Sequence, residues 1–126
     1  MNKLLATAAA LTLMGSVASA SVTLNPTGDS GSFRWDTPAP SSVTFNGTVE
    51  DDLTITVATA SVLTFSMVDC CITGDVFELV VNGAVQAWDS ITNPGGIGGN
   101  FAASAEIFLA AGTTLIDMNV TVSGGG

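Results

Sequence analysis

The side chains able to do chemistry are few and lie close together in the chain. Asp69 and Asp75 flank the only two cysteines, the adjacent pair Cys70 and Cys71, and Trp88 follows soon afterwards. The chain has no histidine and no tyrosine. Ser-His-Asp and Cys-His catalysis are therefore excluded, as are histidine-ligated zinc, copper and haem.

The acidic residues are candidates for binding calcium, which takes about six to eight oxygen ligands from loop carboxylates and carbonyl groups. Asp69, Asp75 and the run Glu50-Asp51-Asp52 would converge if their loops lie at one end of the fold. No D-x-D-x-D-G loop specifies a calcium geometry. The alternative is that these acids are solvated turn residues that keep the protein soluble. Asp69 and Asp75 are the candidate ligand-binding residues, with calcium the one candidate ion.

The adjacent cysteines allow three states. Cys70 and Cys71 can form a vicinal disulfide, which needs a turn-like peptide, and Thr73-Gly74 favours a turn nearby. Alternatively both thiols stay free, or an exposed one cross-links two chains in an oxidising compartment. Redox catalysis is not expected, since the spacing is not C-x-x-C and no cation lies nearby to lower a thiol pKa.

Trp88 is the candidate for contact with a sugar ring, because it follows a predicted hairpin strand and precedes Asp89. The alternative is that Trp88 packs at the rim of the core. Paired carboxylates also serve glycosidases, but a small domain with few aromatic residues lacks an evident substrate cleft. We therefore expect no enzyme activity, no catalytic residues and no cofactor beyond the candidate calcium.

Residues 1–20 have the three parts of a secretory signal peptide, which we expect to be helical. Lys3 supplies the positive charge, an apolar stretch runs from Leu4 to Val17, and Ala18-Ser19-Ala20 suits cleavage before Ser21. The short leader is typical of bacteria. We predict a secreted or extracytoplasmic protein (periplasm, cell surface or extracellular), with one domain over residues 21–126 and no membrane span in the mature chain.

The charge balance of the chain limits the classes of partner that it could bind. Beyond the predicted leader, Arg34 is the one cation against eleven acidic residues. Nucleic acid is excluded as a partner because phosphate contacts need cations, and anionic lipid surfaces are disfavoured for the same reason.

The mature sequence has the composition and patterning of a β protein. Fourteen Thr and twelve Val follow Ala20, and such β-branched residues suit strands. Apolar and polar residues alternate in Leu53–Val57, Leu63–Met67 and Ile116–Val122, as in antiparallel strands solvated on one side. The predicted fold class is all-β, an antiparallel β-sandwich or jelly-roll-like fold. The remaining predicted strands are Ser32–Trp35, Val43–Val49, Val76–Val81, Ala84–Trp88 and Ala105–Leu109, and the predicted loops are Asn25–Gly31, Thr37–Ser42 and Asn93–Asn100.

Asn82-Gly83 predicts a two-residue type I′ turn that joins Val76–Val81 to Ala84–Trp88. The predicted core comprises Phe33, Trp35, Phe45, Leu53, Ile55, Val57, Leu63, Phe65, Met67, Phe77, Leu79, Ile107, Leu109, Ile116, Met118 and Val120.

The segment Met67–Gly83, M-V-D-C-C-I-T-G-D-V-F-E-L-V-V-N-G, resembles a segment of secreted β-sandwich domains in bacterial exported proteins of the PEP-CTERM type. The later phrase Leu109–Thr113, with glycines at 124–126, lies in a comparable place. The resemblance implies the fold and the compartment but no activity. The sorting tail of that group is absent from this sequence, and its members continue past the glycines into a last strand, so this chain either lacks that strand or is a truncated product. If the chain ends at Gly126, an open sheet edge and self-association through it would follow.

The sequence thus favours a non-catalytic secreted β-sandwich module of the cell surface or extracellular matrix. The alternative is a carbohydrate-binding module, with calcium dependence as an option. The corresponding partners are an extracellular polysaccharide or a surface protein.

Overall fold

The structure is a computed structural model that describes residues 21–35, 39–45, 52–70, 73–93 and 99–124. Over these ranges the chain is all β and contains no helix. It follows that no helix in the described part of the chain could span a membrane. The predicted signal helix over residues 1–20 lies outside the described residues.

The described residues form ten strands in two sheets. The larger sheet has the order β1-β4-β10-β3-β2, with β6 on β10 and β7 on β6, and the smaller has the order β5-β9-β8. The chain therefore passes between the sheets after β4, β5, β7 and β9. The strands are β1 (Ser21–Thr23), β2 (Phe33–Trp35), β3 (Ser41–Phe45), β4 (Asp52–Val57), β5 (Ser61–Val68), β6 (Val76–Val81), β7 (Ala84–Gln86), β8 (Ser90–Thr92), β9 (Ala102–Leu109) and β10 (Gly112–Val122).

Strand β10 is the centre of the larger sheet. Its first half, from Gly112 to Ile116, pairs with β4, and Asn119 and Val120 pair with β3. Residues Ile116–Val122 also pair with β6. Three strands distant in sequence therefore take their register from one strand, whose apolar residues at every second position face the core.

The predicted hairpin is confirmed. Strand β6 occupies the predicted residues, and Val81 pairs with Ala84 across the turn, but β7 ends at Gln86 and not at the predicted Trp88. Asn82 and Gly83 have φ of 49° and 78°, the positive values that a type I′ turn requires. The Asn82 side chain also accepts a hydrogen bond from the Leu115 amide at 2.9 Å, so the turn is fixed to β10.

Three details of the predicted strands are wrong. Strand β1 pairs parallel to β4, although every other pairing is antiparallel. Ser41 and Ser42, predicted as loop, open β3 because they pair with β10. The short strands β1 and β8 were not predicted, since three residues are too few to display a period. Part of the predicted strand Val43–Val49 and of the predicted loops lies outside the described residues.

One buried cluster joins the two sheets. Eleven of the sixteen predicted core residues are buried, and the other five are half-buried against the cluster. Those five are Phe33, Trp35, Val57, Leu63 and Phe65. The prediction omitted Val43, Phe101, Ala103 and Ala105, which are also buried. The two alanines alternate with polar residues on β9, and they are small enough to let the facing sheet come close.

Six aromatic side chains make a continuous series of ring contacts from one sheet to the other. Trp35 meets Phe77 edge-on at 5.0 Å between ring centroids, and Phe77 contacts Phe101 at 5.5 Å. Phe101 then contacts Trp88 at 6.2 Å. Phe33 and Phe65 extend the two ends of the series. Such offset and edge-on pairs add stability beyond that of simple burial.

Strand β10 provides a test of this packing. Ile116 is 0% exposed and its neighbour Leu115 is 44% exposed. We expect Ile116→Ala to lower the free energy of unfolding by about 3 kcal/mol because it leaves a cavity in the core. Leu115→Ala should cost less than about 1 kcal/mol. Urea denaturation followed by tryptophan fluorescence measures both, and equal losses would contradict the assigned facing of β10.

Candidate functional site

The structure brings Asp69 and Asp75 together at one end of the molecule. Asp69 directly follows β5 of the smaller sheet, and Asp75 directly precedes β6 of the larger sheet. The link between the sheets thus begins and ends on a carboxyl group. Both side chains are buried, with 2% of Asp69 and 1% of Asp75 exposed. The predicted convergence of these two residues is therefore observed, but they are not the solvated turn residues of the alternative.

Backbone contacts hold both residues in place. The Asp69 amide donates to the Phe101 carbonyl at 2.8 Å, and the Gly124 amide donates to Asp75 Oδ1 at 2.7 Å. The Oδ2 atoms of both carboxyl groups are buried and receive no hydrogen bond from any N–H or O–H group of the described residues. A buried oxygen without a donor is costly. Backbone hydrogen bonds thus fix the positions of both residues, whereas the Oδ2 atom of each carboxyl group lacks a donor within the described part of the chain.

The environment of Asp69 favours its protonated form. Burial raises the pKa of Asp69 to about 6, and both the negative charge of Asp75 and a side-chain hydrogen bond with Asp75 add to the increase. A carboxyl group that holds a proton donates a hydrogen bond to its neighbour and removes one of two like charges. At neutral pH, however, most of the Asp69 population would be ionised, and that charge then needs another partner.

A surface pocket of about 550 Å³ lies over the pair. Arg34, which is exposed, reaches its wall from β2 together with Trp35. Asp52 does not line this pocket, because it begins β4 and pairs there with Ser21 of β1. Glu50 and Asp51 lie outside the described residues. In the described part of the chain no third acidic, histidine or cysteine side chain joins the pair to make a metal-binding group. The pocket is lined by Gly31, Ser32, Phe33, Arg34, Trp35, Val68, Asp69, Cys70, Asp75 and Ser123.

Cys70 lies beside Asp69 on the same pocket wall and is disulfide-bonded. Cys71, the other cysteine of the sequence, lies outside the described residues. The vicinal pairing of Cys70 with Cys71 therefore stays a prediction. A disulfide at Cys70 provides no thiolate for catalysis or for a soft metal.

Trp88 lies in the link between β7 and β8 and is half-buried. Its indole Nε1 donates to the Phe77 carbonyl at 3.0 Å, and its ring stacks on Phe65 with 6.2 Å between centroids. These contacts are those of the core-packing alternative. A role for Trp88 in binding a ligand stays a prediction.

A second cavity of about 560 Å³ opens beneath the turn between β1 and β2. Its deep wall is apolar, and hydrogen bonds from the Asn25 amide to Asp29 and from the Thr27 amide to the Asn25 side chain hold the turn above it. The backbone amides of Asn25 and Ser30 lower the pKa of the exposed Asp29 carboxyl. The deep wall includes Phe33, Phe45, Leu53, Ile55, Phe65, Met67 and Met118.

Two glycines let the link between the sheets close tightly on the end of β10. Gly74 has φ of 106°, and a Cβ atom there would lie 2.8 Å from the Gly124 Cα. A Cβ atom on Gly124 would collide with the Thr73 carbonyl oxygen. The sequence pointed to a turn at Gly74, but no local pattern marked Gly124 as its partner. This contact brings the Gly124 amide to Asp75.

Comparisons with known proteins give no further identification. The chain matches no protein-family model, no curated protein and no solved structure. The chemistry of the site must therefore be argued from its own residues.

The raised pKa of Asp69 predicts a pH-dependent stability. The folded-state pKa of about 6 exceeds the ordinary aspartate pKa of 3.8, so between these pH values folded Asp69 holds a proton that the unfolded chain releases. This contribution is complete below about pH 4 and is lost as the pH rises through about 6. Asp69→Asn should remove it. In the presence of a chelator, we expect the free energy of unfolding of the variant to rise relative to that of the wild type by up to about 3 kcal/mol between pH 4 and pH 7.

Urea denaturation at a series of pH values measures this difference. The matched control is Glu106→Gln, which removes an exposed carboxylate from the outer face of β9. A stability difference between wild type and Asp69→Asn that stays constant from pH 4 to 7 would contradict the assignment.

The glycine contact predicts a second difference. Gly74 and Gly112 have similar φ values of 106° and 113°, but a Cβ atom on Gly112 would meet nothing within 4 Å. Both alanine variants bear a strain of about 1–2 kcal/mol from the positive φ. Gly74→Ala should lose more stability than Gly112→Ala, because it must also push Gly124 away from Asp75. Thermal unfolding measures the two, and equal losses would mean that the close approach is unimportant.

Proposed function

We propose that this chain is a non-catalytic, secreted β-sandwich module of the cell surface or extracellular matrix. The observation that carries the proposal is the division of its strands into a buried apolar face and an outward face rich in hydroxyl groups. A protein built this way has broad polar surfaces, and all but one of the charged residues beyond the predicted leader are acidic. The signal-like residues 1–20 supply the route by which it would leave the cell.

The outward faces suit contact rather than chemistry. Hydroxyl groups of Thr56 and Thr113 lie 2.7 Å apart on the larger sheet, and those of Ser90 and Ser104 lie 2.7 Å apart on the smaller. Each pair joins neighbouring strands, so each hydrogen bond also stabilises the sheet. Val62 and Phe108, which are 60% and 70% exposed, face each other across β5 and β9 and add an apolar patch.

The acidic pair supports the non-catalytic part of the proposal. Asp69 and Asp75 are buried, and a side-chain hydrogen bond links them. A two-carboxylate glycosidase holds its carboxyl groups about 5 Å or more apart, with the sugar between them. Carboxyl groups joined by a hydrogen bond are closer together than that, so this pair does not have the glycosidase spacing.

The carbohydrate-binding alternative relied on Trp88. Trp88 is half-buried, stacks on Phe65 and meets Phe101 edge-on, contacts that pack its ring against the core. We therefore place this alternative second to the module. The kinship with PEP-CTERM-type exported domains, proposed from Met67–Gly83, agrees with the same compartment.

Export and processing test the proposal. Expression of the full chain in a bacterial host, followed by fractionation, should place it outside the cytoplasm. Intact mass should then correspond to a chain that begins at Ser21. Replacing two residues of the apolar stretch, Leu11→Arg with Leu13→Arg, should keep the chain inside and uncleaved, because the stretch would no longer partition from water.

A chain found in the cytoplasm with residues 1–20 attached would contradict the secreted part of the proposal. Turnover of glycoside or peptide substrates by the purified protein would contradict the non-catalytic part. An Asp69→Asn variant that lost such turnover would then identify the acidic pair as its source.

A further inference from the structure

We propose that Asp69 and Asp75 form a calcium-binding site that fastens the link between the two sheets. This site goes beyond the module function proposed above and is independent of it. A secreted module without calcium, or a calcium protein that is not a surface module, would each leave the other proposal intact.

The first argument is electrostatic. Two carboxyl groups are almost fully buried side by side, and each has one buried oxygen that no donor reaches within the described residues. Carboxylates are buried only when a proton, a cationic side chain or a metal ion neutralises them. Arg34 on the pocket wall is the cationic side chain nearest to this role, but it is exposed to solvent. The two Oδ2 atoms are thus buried acceptors that no donor of the described residues satisfies.

The second argument is the chemistry of the donors. The sequence has no histidine, and Cys70 is held in a disulfide, so oxygen is the element the site offers. Oxygen-only sites select hard cations. Magnesium demands a nearly ideal octahedron, whereas calcium accepts irregular geometry and about six to eight oxygens, some of them from water. The pocket above the pair is open to water, and the Ser123 residue on its wall brings further oxygen atoms close by.

The third argument is position. Asp69 directly follows β5 of one sheet, and Asp75 directly precedes β6 of the other. The Gly124 amide, just beyond β10, already donates to Asp75 Oδ1. An ion shared by the two carboxylates would join three strands at the one place where like charges otherwise push them apart. The site would therefore stabilise the fold rather than catalyse a reaction.

Calcium titration of the purified full chain tests the site. The protein is first freed of metal with a chelator and held at pH 7.5, above the pKa of about 6 of Asp69. We expect a dissociation constant of roughly 10⁻⁴–10⁻³ M, typical of extracellular calcium modules. At about ten times that concentration the melting temperature should rise by about 5–10 °C. Magnesium at the same concentration should raise it much less.

Matched variants locate the ion. Asp69→Asn keeps the shape of the side chain and places an amide beside Asp75, so the variant should fold at least as well as the wild type without metal. It should nevertheless lose the calcium response, with affinity reduced about tenfold or more. Glu106→Gln, which removes a carboxylate far from the pocket lining, should keep the response.

Terbium, which replaces calcium and emits when a nearby indole transfers energy to it, gives a readout independent of stability. Trp35 lines the pocket, whereas Trp88 does not. Trp35→Phe should abolish the sensitised emission but keep the calcium-induced rise in melting temperature, and Trp88→Phe should keep both.

Three results would overturn the proposal. The first is an unchanged melting temperature with calcium up to about ten times the upper end of the expected range. The second is an Asp69→Asn variant that responds like the wild type. The third is terbium emission sensitised by Trp88 instead of Trp35. If calcium fails while the pH dependence of the metal-free protein persists, a shared proton alone neutralises the pair.

Discussion

The pairing of strand β10 with its neighbours is the constraint on which the other features depend. Its residues set the register of β4 and β3, and β6 takes its register from the same strand. Ile116, Met118 and Val120, at alternate positions of β10, are all completely or almost completely buried. A shift by one residue would expose these three side chains and bury the polar residues between them. Gly124 lies just beyond the end of β10, and its backbone amide donates a hydrogen bond to Asp75.

The acidic pair Asp69 and Asp75 lies at one end of the molecule. Folding brings Asp69 and Asp75 together because the chain crosses between sheets there, and it buries them because Gly74 and Gly124 close the crossing. Two like charges oppose that closure. Burial raises the pKa of Asp69, and the negative charge of Asp75 adds to the increase. Whatever neutralises the pair, proton or cation, completes the closure, so the ionic conditions around the protein bear on the stability of both sheets.

The sequence predicted features whose signals are local. Alternation over five or more residues located the long strands, and Asn82-Gly83 specified its turn because both residues must adopt positive φ. Prediction from the sequence failed for features that depend on contacts with distant parts of the chain. Phe101 is buried in contact with Phe77 and Trp88, and nothing in its own sequence neighbourhood indicates this. Strand β1 likewise pairs in parallel with β4, which lies about thirty residues further along the chain, so its own residues do not indicate this partner.

The candidate site shows the same division. Spacing suggested that Asp69 and Asp75 could converge, and the structure brings them together. Their burial, their unsatisfied oxygens and the contribution of Gly124 come from the stacking of elements that are remote in sequence. The interpretation of Trp88 depended on the same information, because a tryptophan at the end of a strand faces inward or outward according to the sheet above it. Phe65 and Phe101 are the side chains that Trp88 contacts there.

The contact between Gly74 and Gly124 also bears on how such a chain can diverge. A residue inserted between Asp69 and Asp75 would lengthen the crossing and move one carboxyl group away from the other. A side chain larger than hydrogen at either glycine would do the same by steric exclusion. The turn over residues 25–31, in contrast, closes on itself through Asn25 and Asp29. Among evolutionary descendants of this fold, variation in length should accumulate in that turn, whereas the crossing keeps a fixed number of residues.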